Sequence, residues 1–157
     1  MSGNCFLALA LGIGFVAGLR SLTAPAVVAW AAHFAWLNLQ GSSLAFMGSA
    51  AAAIIFSLLA IGELIADKVP GVPRRTTIAP LLARICTGAL SAACLAAAAS
   101  RSLLSACLLA GIGAVLGAFT GYEVRRRLVG KLQLRDFFVA LAEDLIATGL
   151  ACFLVFR

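Results

Sequence analysis

Charge is what this 157-residue chain has least of: Asp, Glu, Lys and Arg make up 11% of it, against 63% hydrophobic residues. With a mean hydropathy of +1.08, that balance excludes a water-soluble globule, whose surface takes about a quarter of all residues as charged. Histidine occurs once, and none stands near the five cysteines at metal-ligand spacing. Cys5, Cys86, Cys94, Cys107 and Cys152 form no C-x-x-C pair and lie in apolar runs. They read as small buried hydrophobes, and no metal site or cofactor is expected. G-x-S-x-G, H-E-x-x-H and P-loop patterns are missing, so no catalytic residue is assigned. The N-terminus has no basic n-region, which predicts that the first apolar stretch stays in the mature protein.

What is present is a series of apolar runs separated by basic connections. The twelve Lys and Arg against six Asp and Glu give a net charge of +6. These bases flank apolar segments and form no recognition module, so they predict membrane-flanking charge and no nucleic-acid partner. About 20 apolar residues of helix cross a hydrocarbon core of about 30 Å. Residues 44–66, 78–99, 103–122 and 137–156 meet that length. Residues 5–38 are too long for one simple helix and are interrupted at Arg20-Ser-Leu-Thr-Ala-Pro25. Proline fits the first turn of a new helix, so this break predicts two helices, with Ser21 or Thr23 as cap and the second, to about Leu39, tilted or re-entrant. The predicted fold is an all-α polytopic transmembrane bundle of five to six segments in a single domain, residues 1–157. Basic residues cluster at 68–75 and 125–135, which places those connections of a multi-pass protein in the cytoplasm.

Two internal patterns shape the bundle. Arg20-Ser-Leu-Thr-Ala-Pro25 returns as Arg75-Thr-Thr-Ile-Ala-Pro80, each copy opening a helical hairpin that ends near a Gly and a Glu, Gly62-Glu63 and Gly121-Tyr122-Glu123. With an insertion or deletion between these landmarks, the echo suggests parallel repeated hairpins. Gly113, Gly117 and Gly121 form one ridge and Gly14 with Gly18 a shorter one; spacing by four places each set on one helix face. Such a face serves packing within the chain or a homo-oligomer. His33, between Trp30 and Trp36, reads as an interfacial aromatic-belt residue, and the Arg125-Arg126-Arg127 run as a topology signal that also attracts anionic lipid headgroups.

Every acid lies in or beside an apolar helix, where an ionised group needs a partner, a bundle interior or water. Glu63 and Asp67 are one turn apart; Glu143 and Asp144 sit roughly 10 Å into their span, on directions about 100° apart. Arg84 enters its own span to a similar depth, and Arg20 marks the helix break. Each R-[ST]-x-x-A-P segment sets an Arg and hydroxyls beside a helix N-terminus, whose N–H groups favour anions. These features predict an anion site from Arg20, Ser21, Thr23, Arg75, Thr76 and Arg84, with Glu63, Asp67, Glu143 and Asp144 taking up protons or a cation. A structural salt-bridge network, and capping by Ser21, Thr23, Thr76 or Thr77, fit the same residues.

Gly18-Leu-Arg-Ser-Leu-Thr-Ala-Pro25, Gly62-Glu-Leu-Ile-Ala-Asp-Lys-Val-Pro70, Pro73-Arg-Arg-Thr76 and Ala142-Glu-Asp144 together resemble a family of small bacterial integral membrane proteins catalogued as a domain of unknown function. The resemblance spans nearly the whole chain and implies an inner-membrane location, with no assigned activity and no catalytic residue to carry over. The function expected from the residues is a small transporter or channel-like protein for an anionic solute. The alternatives are a Mg²⁺-dependent enzyme acting on a lipid phosphate, with Glu63, Asp67 and Glu143 or Asp144 as ligands, and a structural or assembly subunit. Expected partners are membrane lipids and, through Gly113, Gly117 and Gly121, a second copy of the chain.

Overall fold

A computed structural model describes residues 3–66, 77–132 and 136–156. These form six α-helices: α1 Gly3–Leu19, α2 Thr23–His33, α3 Ala50–Ala66, α4 Ile78–Ala98, α5 Leu103–Leu132 and α6 Asp136–Val155. One 3₁₀ turn, Ala45–Gly48, precedes α3, and there is no strand among the described residues. The break expected near Pro25 is present, with Pro25 in the first turn of α2. The segment expected to begin at residue 44 starts its α-helix only at Ala50. There the Ser49 hydroxyl accepts the Ala52 N–H at 3.1 Å and caps the new helix. α5 runs beyond the expected residue 122, because Glu123 pairs with Arg126 and Arg127 one turn on and keeps the polar end helical. α2 stops at His33, short of Leu39. Ala35 takes a left-handed φ of 60°, and its N–H and that of Trp36 close on the Ala32 and Ala31 carbonyls, a Schellman ending without glycine.

The chain runs back and forth through the bundle. α1 and α2 form a tight helical hairpin; α2 meets α3 antiparallel, through Trp30 to Ser57 at one end and Leu22 to Glu63 at the other. α4 runs against α1 and α5 alongside it. α6 returns next to α2, from the Arg20–Asp144 contact to the Trp36–Phe156 ring pair at 4.2 Å. The α2–α3 and α4–α5 hairpins therefore point the same way, as the repeated motif suggests.

Small residues fill the interior, and large aliphatic ones face outward. Ala10, Ala17, Ala53, Ala92, Ala110 and Ala147 are fully buried, whereas Leu58, Ile65, Leu104 and Leu145 are more than half exposed. This inverts the soluble pattern and suits a lipid solvent, in which helices associate by close packing of small residues. α1 packs most extensively against α5. A Cβ on Gly14 or Gly18 would fall on the Ala110 or Ala114 carbonyl, and one on Gly113 or Gly117 on the Leu11 or Phe15 carbonyl. The two ridges thus interlock within one chain, and the face offered for a homo-oligomer at Gly113 and Gly117 is covered by α1.

Among the described residues, three helices are long and apolar enough to cross a membrane: Ile78–Ala98, Leu103–Gly130 and Phe138–Val155. Asn4–Leu19 and Ala50–Ala66 are apolar but shorter. Arg84 and Asp144, which meet the α1–α2 turn, lie six and eight residues into α4 and α6, or roughly 9 and 12 Å at 1.5 Å per residue. The turn therefore sits inside the bundle.

The interlocked glycines carry the first prediction. Gly117→Leu should cost about 1–3 kcal/mol in detergent-solubilised protein, because Phe15 backbone and the Gly18 Cα at 3.0 Å occupy its space. Gly149→Ala, with no atom within 4 Å of the new methyl, should leave the melting temperature equal or slightly raised. Thermal unfolding checks both, and equal melting of Gly117→Leu and the parent would remove α1 from that face.

Candidate functional site

Reversing the chain inside an apolar bundle creates a local electrostatic problem. The last carbonyls of α1 and the first N–H groups of α2 have no partner within their own helices, and no water is at hand in hydrocarbon. Two side chains from other helices meet them. Arg84 of α4, buried, donates through Nη1 to the Gly18 and Leu19 carbonyls at 2.6 and 2.8 Å. Glu63 of α3 accepts the Ser21 N–H and Ser21 hydroxyl at Oε1, at 3.0 and 2.7 Å, and the Leu22 N–H at Oε2, at 3.0 Å. Each charge complements the dipole it faces, a cation at the α1 C-terminus and a carboxylate at the α2 N-terminus. The two are themselves paired, Arg84 Nη2 to Glu63 Oε1 at 3.5 Å.

Arg20 sits in the turn itself, 2% exposed, and pairs through Nη2 with Asp144 Oδ1 of α6. α3, α4 and α6 thus all fasten onto three consecutive residues of the α1–α2 turn or the residues just before it. The neighbouring acid, Glu143, projects from α6 about 100° around the helix axis from Asp144. It lines a cleft of about 230 Å³ between α1, α5 and α6, with Phe15, Leu19, Val139 and Arg125.

The sequence-predicted site residues divide into three sets. Arg20, Ser21, Arg84, Glu63 and Asp144 converge on the turn. Thr23 opens α2 but stands outside this hydrogen-bond network, and Glu143 faces the cleft. Asp67, Arg75 and Thr76 lie outside the described residues. Capping differs from expectation: α2 has no side-chain cap from Ser21 or Thr23, and Thr77 at the start of α4 makes no cap bond either. Glu63 reaches the α2 N-terminus from another helix and holds both N–H groups with two oxygens, which a single hydroxyl cannot do. The anion at that helix end is therefore a side chain of the protein. The reading of the cysteines needs one correction: Cys94 is buried, whereas Cys86 is exposed on α4. All five are free thiols.

The Gly18 and Leu19 carbonyls, essential to this site, were invisible in the sequence because backbone atoms carry no residue signature. Only the position of the break pointed to them. No group of three His, Cys, Asp or Glu able to hold a metal ion occurs among the described residues, and Glu63 and Asp144 are committed to different arginines. At the opposite end of the bundle, Trp30 stacks on Phe34 at 5.5 Å, and the exposed His33 contacts the Gly48 carbonyl through Nδ1 at 3.2 Å.

Removing one member of a buried ion pair strands the other, at a cost of about 3–5 kcal/mol. Asp144→Leu alone should therefore destabilise the protein in detergent strongly, and Arg20→Met with Asp144→Leu should recover most of that loss. Glu63→Ala should cost at least as much as Asp144→Leu, since it frees two backbone N–H groups as well as Arg84. Chemical unfolding of the three variants measures these differences; a double variant as unstable as the single one would show that Arg20 and Asp144 are not partners.

Against known sequences, the family described as a domain of unknown function (DUF4126) matches residues 7–157. No curated protein and no solved structure matches the chain.

Proposed function

We propose that this chain, which belongs to the DUF4126 family, is a small multi-pass transporter of the bacterial inner membrane that moves an anionic solute together with a proton. One observation carries the reading: the carboxylate of Glu63 occupies an anion site made of the Ser21 and Leu22 N–H groups, the Ser21 hydroxyl and Arg84. Discontinuous helices whose ends meet ions near the membrane midplane are a recurrent transporter design. Here the resident anion is a titratable side chain. Protonation of Glu63 cancels its charge, weakens its hold on the helix dipole and on Arg84, and leaves the same donors for an anion from solution. Loss of the proton returns Glu63 to the site and expels the solute. Asp144, paired with Arg20, ties α6 to the same turn and carries any movement of the hairpin to that helix.

The orientation that goes with this reading places residues 68–76 and 124–135 in the cytoplasm and the Leu39–Ser43 connection outside. The described helix directions put Arg125, Arg126 and Arg127 at the opposite end from Trp36 and Phe156, in keeping with that arrangement.

A structural reading is favoured by a different observation, that Arg84 and Glu63 already satisfy the carbonyls and N–H groups of the α1–α2 turn and pair with each other. Purified protein in vesicles containing a pH-sensitive dye separates the two. Addition of phosphate, chloride or a short carboxylate should acidify the lumen for at least one anion. Glu63→Gln should abolish that proton movement while the anion still raises the melting temperature; Arg84→Met should abolish both. If no anion of this set moves protons or alters melting of the parent, the network is a structural staple and the transport reading fails. For orientation, Ser42→Cys on a cysteine-free background should react with an impermeant thiol reagent in intact cells; reaction only after permeabilisation would reverse the topology.

A further inference from the structure

Glu63 shows what shape of anion the α1–α2 turn accepts, because its own carboxylate is seated there. The donors are divided between the two carboxylate oxygens. Oε1 takes the Ser21 N–H at 3.0 Å and the Ser21 hydroxyl at 2.7 Å, with Arg84 Nη2 at 3.5 Å, and Oε2 takes the Leu22 N–H at 3.0 Å. Arg84 offers this seat one arm of its fork. The other arm, Nη1, donates to the Gly18 and Leu19 carbonyls at 2.6 and 2.8 Å, which engages both of its hydrogens. Charge is limited as well: Arg84 brings one positive charge, and Arg20 is paired with Asp144.

We infer that the seat selects a carboxylate, so that on the transport reading above, on which this inference rests, the solute is a small monocarboxylate. Such an anion reproduces both oxygens and the single charge of Glu63. A halide has one centre and cannot occupy the positions of both oxygens. Phosphate is held best by both arms of a guanidinium, and here one arm is engaged by backbone carbonyls, which repel an oxyanion. At neutral pH phosphate also carries more charge than Arg84 neutralises. The alkyl part of the solute takes the place of the Glu63 methylenes, on the side of α3, where that side chain is 11% exposed.

The test exploits the size of the side chain. Glu63→Ala removes two carbons and two oxygens, the heavy atoms of acetate, and so makes room for acetate at the seat. Thermal unfolding of the detergent-solubilised full chain is followed for this variant and the parent in sodium acetate, chloride and phosphate at equal ionic strength. The parent corrects for the general effect of each salt on burial. Acetate should restore part of the melting temperature lost in Glu63→Ala, with an apparent affinity about tenfold above that of chloride or phosphate, the contribution of one hydrogen bond to a charged group. Adding Ser21→Ala, which deletes the hydroxyl donor and leaves the Arg84 contacts with Gly18 and Leu19 in place, should weaken the acetate rescue by a similar factor. If Glu63→Ala does not fold, Glu63→Gln carries the same comparison, and acetate should raise its melting temperature more than the other two salts. Rescue by chloride or phosphate equal to that by acetate overturns the inference. Undiminished acetate rescue after Ser21→Ala does so too, as does the absence of rescue in both variants. Melting is read without proton movement, so the two readings fail separately. Proton movement driven by chloride or phosphate, with no acetate rescue, leaves transport standing and removes the carboxylate; selective acetate rescue in a protein that moves no protons does the reverse.

Discussion

A backbone that turns around inside hydrocarbon must find partners for the ends of two helices at once, and the rest of this molecule is arranged to supply them. The reversal at Arg20, Ser21 and Leu22 exposes carbonyls on one side and N–H groups on the other. An arginine and a glutamate from separate helices answer the two needs with opposite charges. Neither ion would be tolerable alone in so apolar a setting. Together they satisfy the backbone, complement both dipoles and neutralise one another. The identity of the residues follows: a guanidinium presents several donors in a fixed fork and can serve two carbonyls and a carboxylate together, and a carboxylate offers two acceptors to adjacent N–H groups.

Close packing and charge placement depend on each other. α1 can lie against α5 only because Gly14, Gly18, Gly113 and Gly117 let the backbones touch. That approach fixes the height of the Gly18 and Leu19 carbonyls relative to α4, and so brings them within reach of Arg84. Gly88 on α4 plays a similar part, its Cβ position lying 3.2 Å from the Ala17 methyl. Precision in the ion site is thus inherited from residues with almost no side chain. The charged side chains then hold the turn in one conformation, which helix packing alone, in the absence of a hydrophobic drive between helices in lipid, does not ensure.

Much of this was legible in the sequence. Hydropathy alone located α4, α5 and α6, and Pro25 with Arg20 located the break, because those signals act over one or two turns of chain. The convergence of Arg20, Arg84, Glu63 and Asp144 was legible from cost: charges so deep in apolar helices have few options but each other. What escaped was pairing. Ser21 and Thr23 are the local candidates to cap α2, yet a glutamate over forty positions away does so, and no local rule ranks a distant carboxylate above a neighbouring hydroxyl. The end of α2 escaped for a related reason. Ala35 adopts a conformation usually marked by glycine, so its composition gave no stop. Glu123, the counterpart of Glu63 in the repeated pattern, shows the limit of the echo: it pairs with arginines on its own exposed helix surface and has no part in the turn.

The pairing of Arg20 with Asp144 has a consequence for synthesis. A ribosome delivers Arg20 with the first helices and Asp144 only with the last, after most of the chain has left the exit tunnel. Through that interval the hairpin carries an arginine whose final counter-ion does not yet exist, at a cost of about 2.5–3.5 kcal/mol for a residue held at mid-depth. The α1 surface that will receive α5 is likewise uncovered until the fifth helix is made. The Arg20–Asp144 pair, and with it the attachment of α6 to the α1–α2 turn, can therefore close only once the last helix has been made.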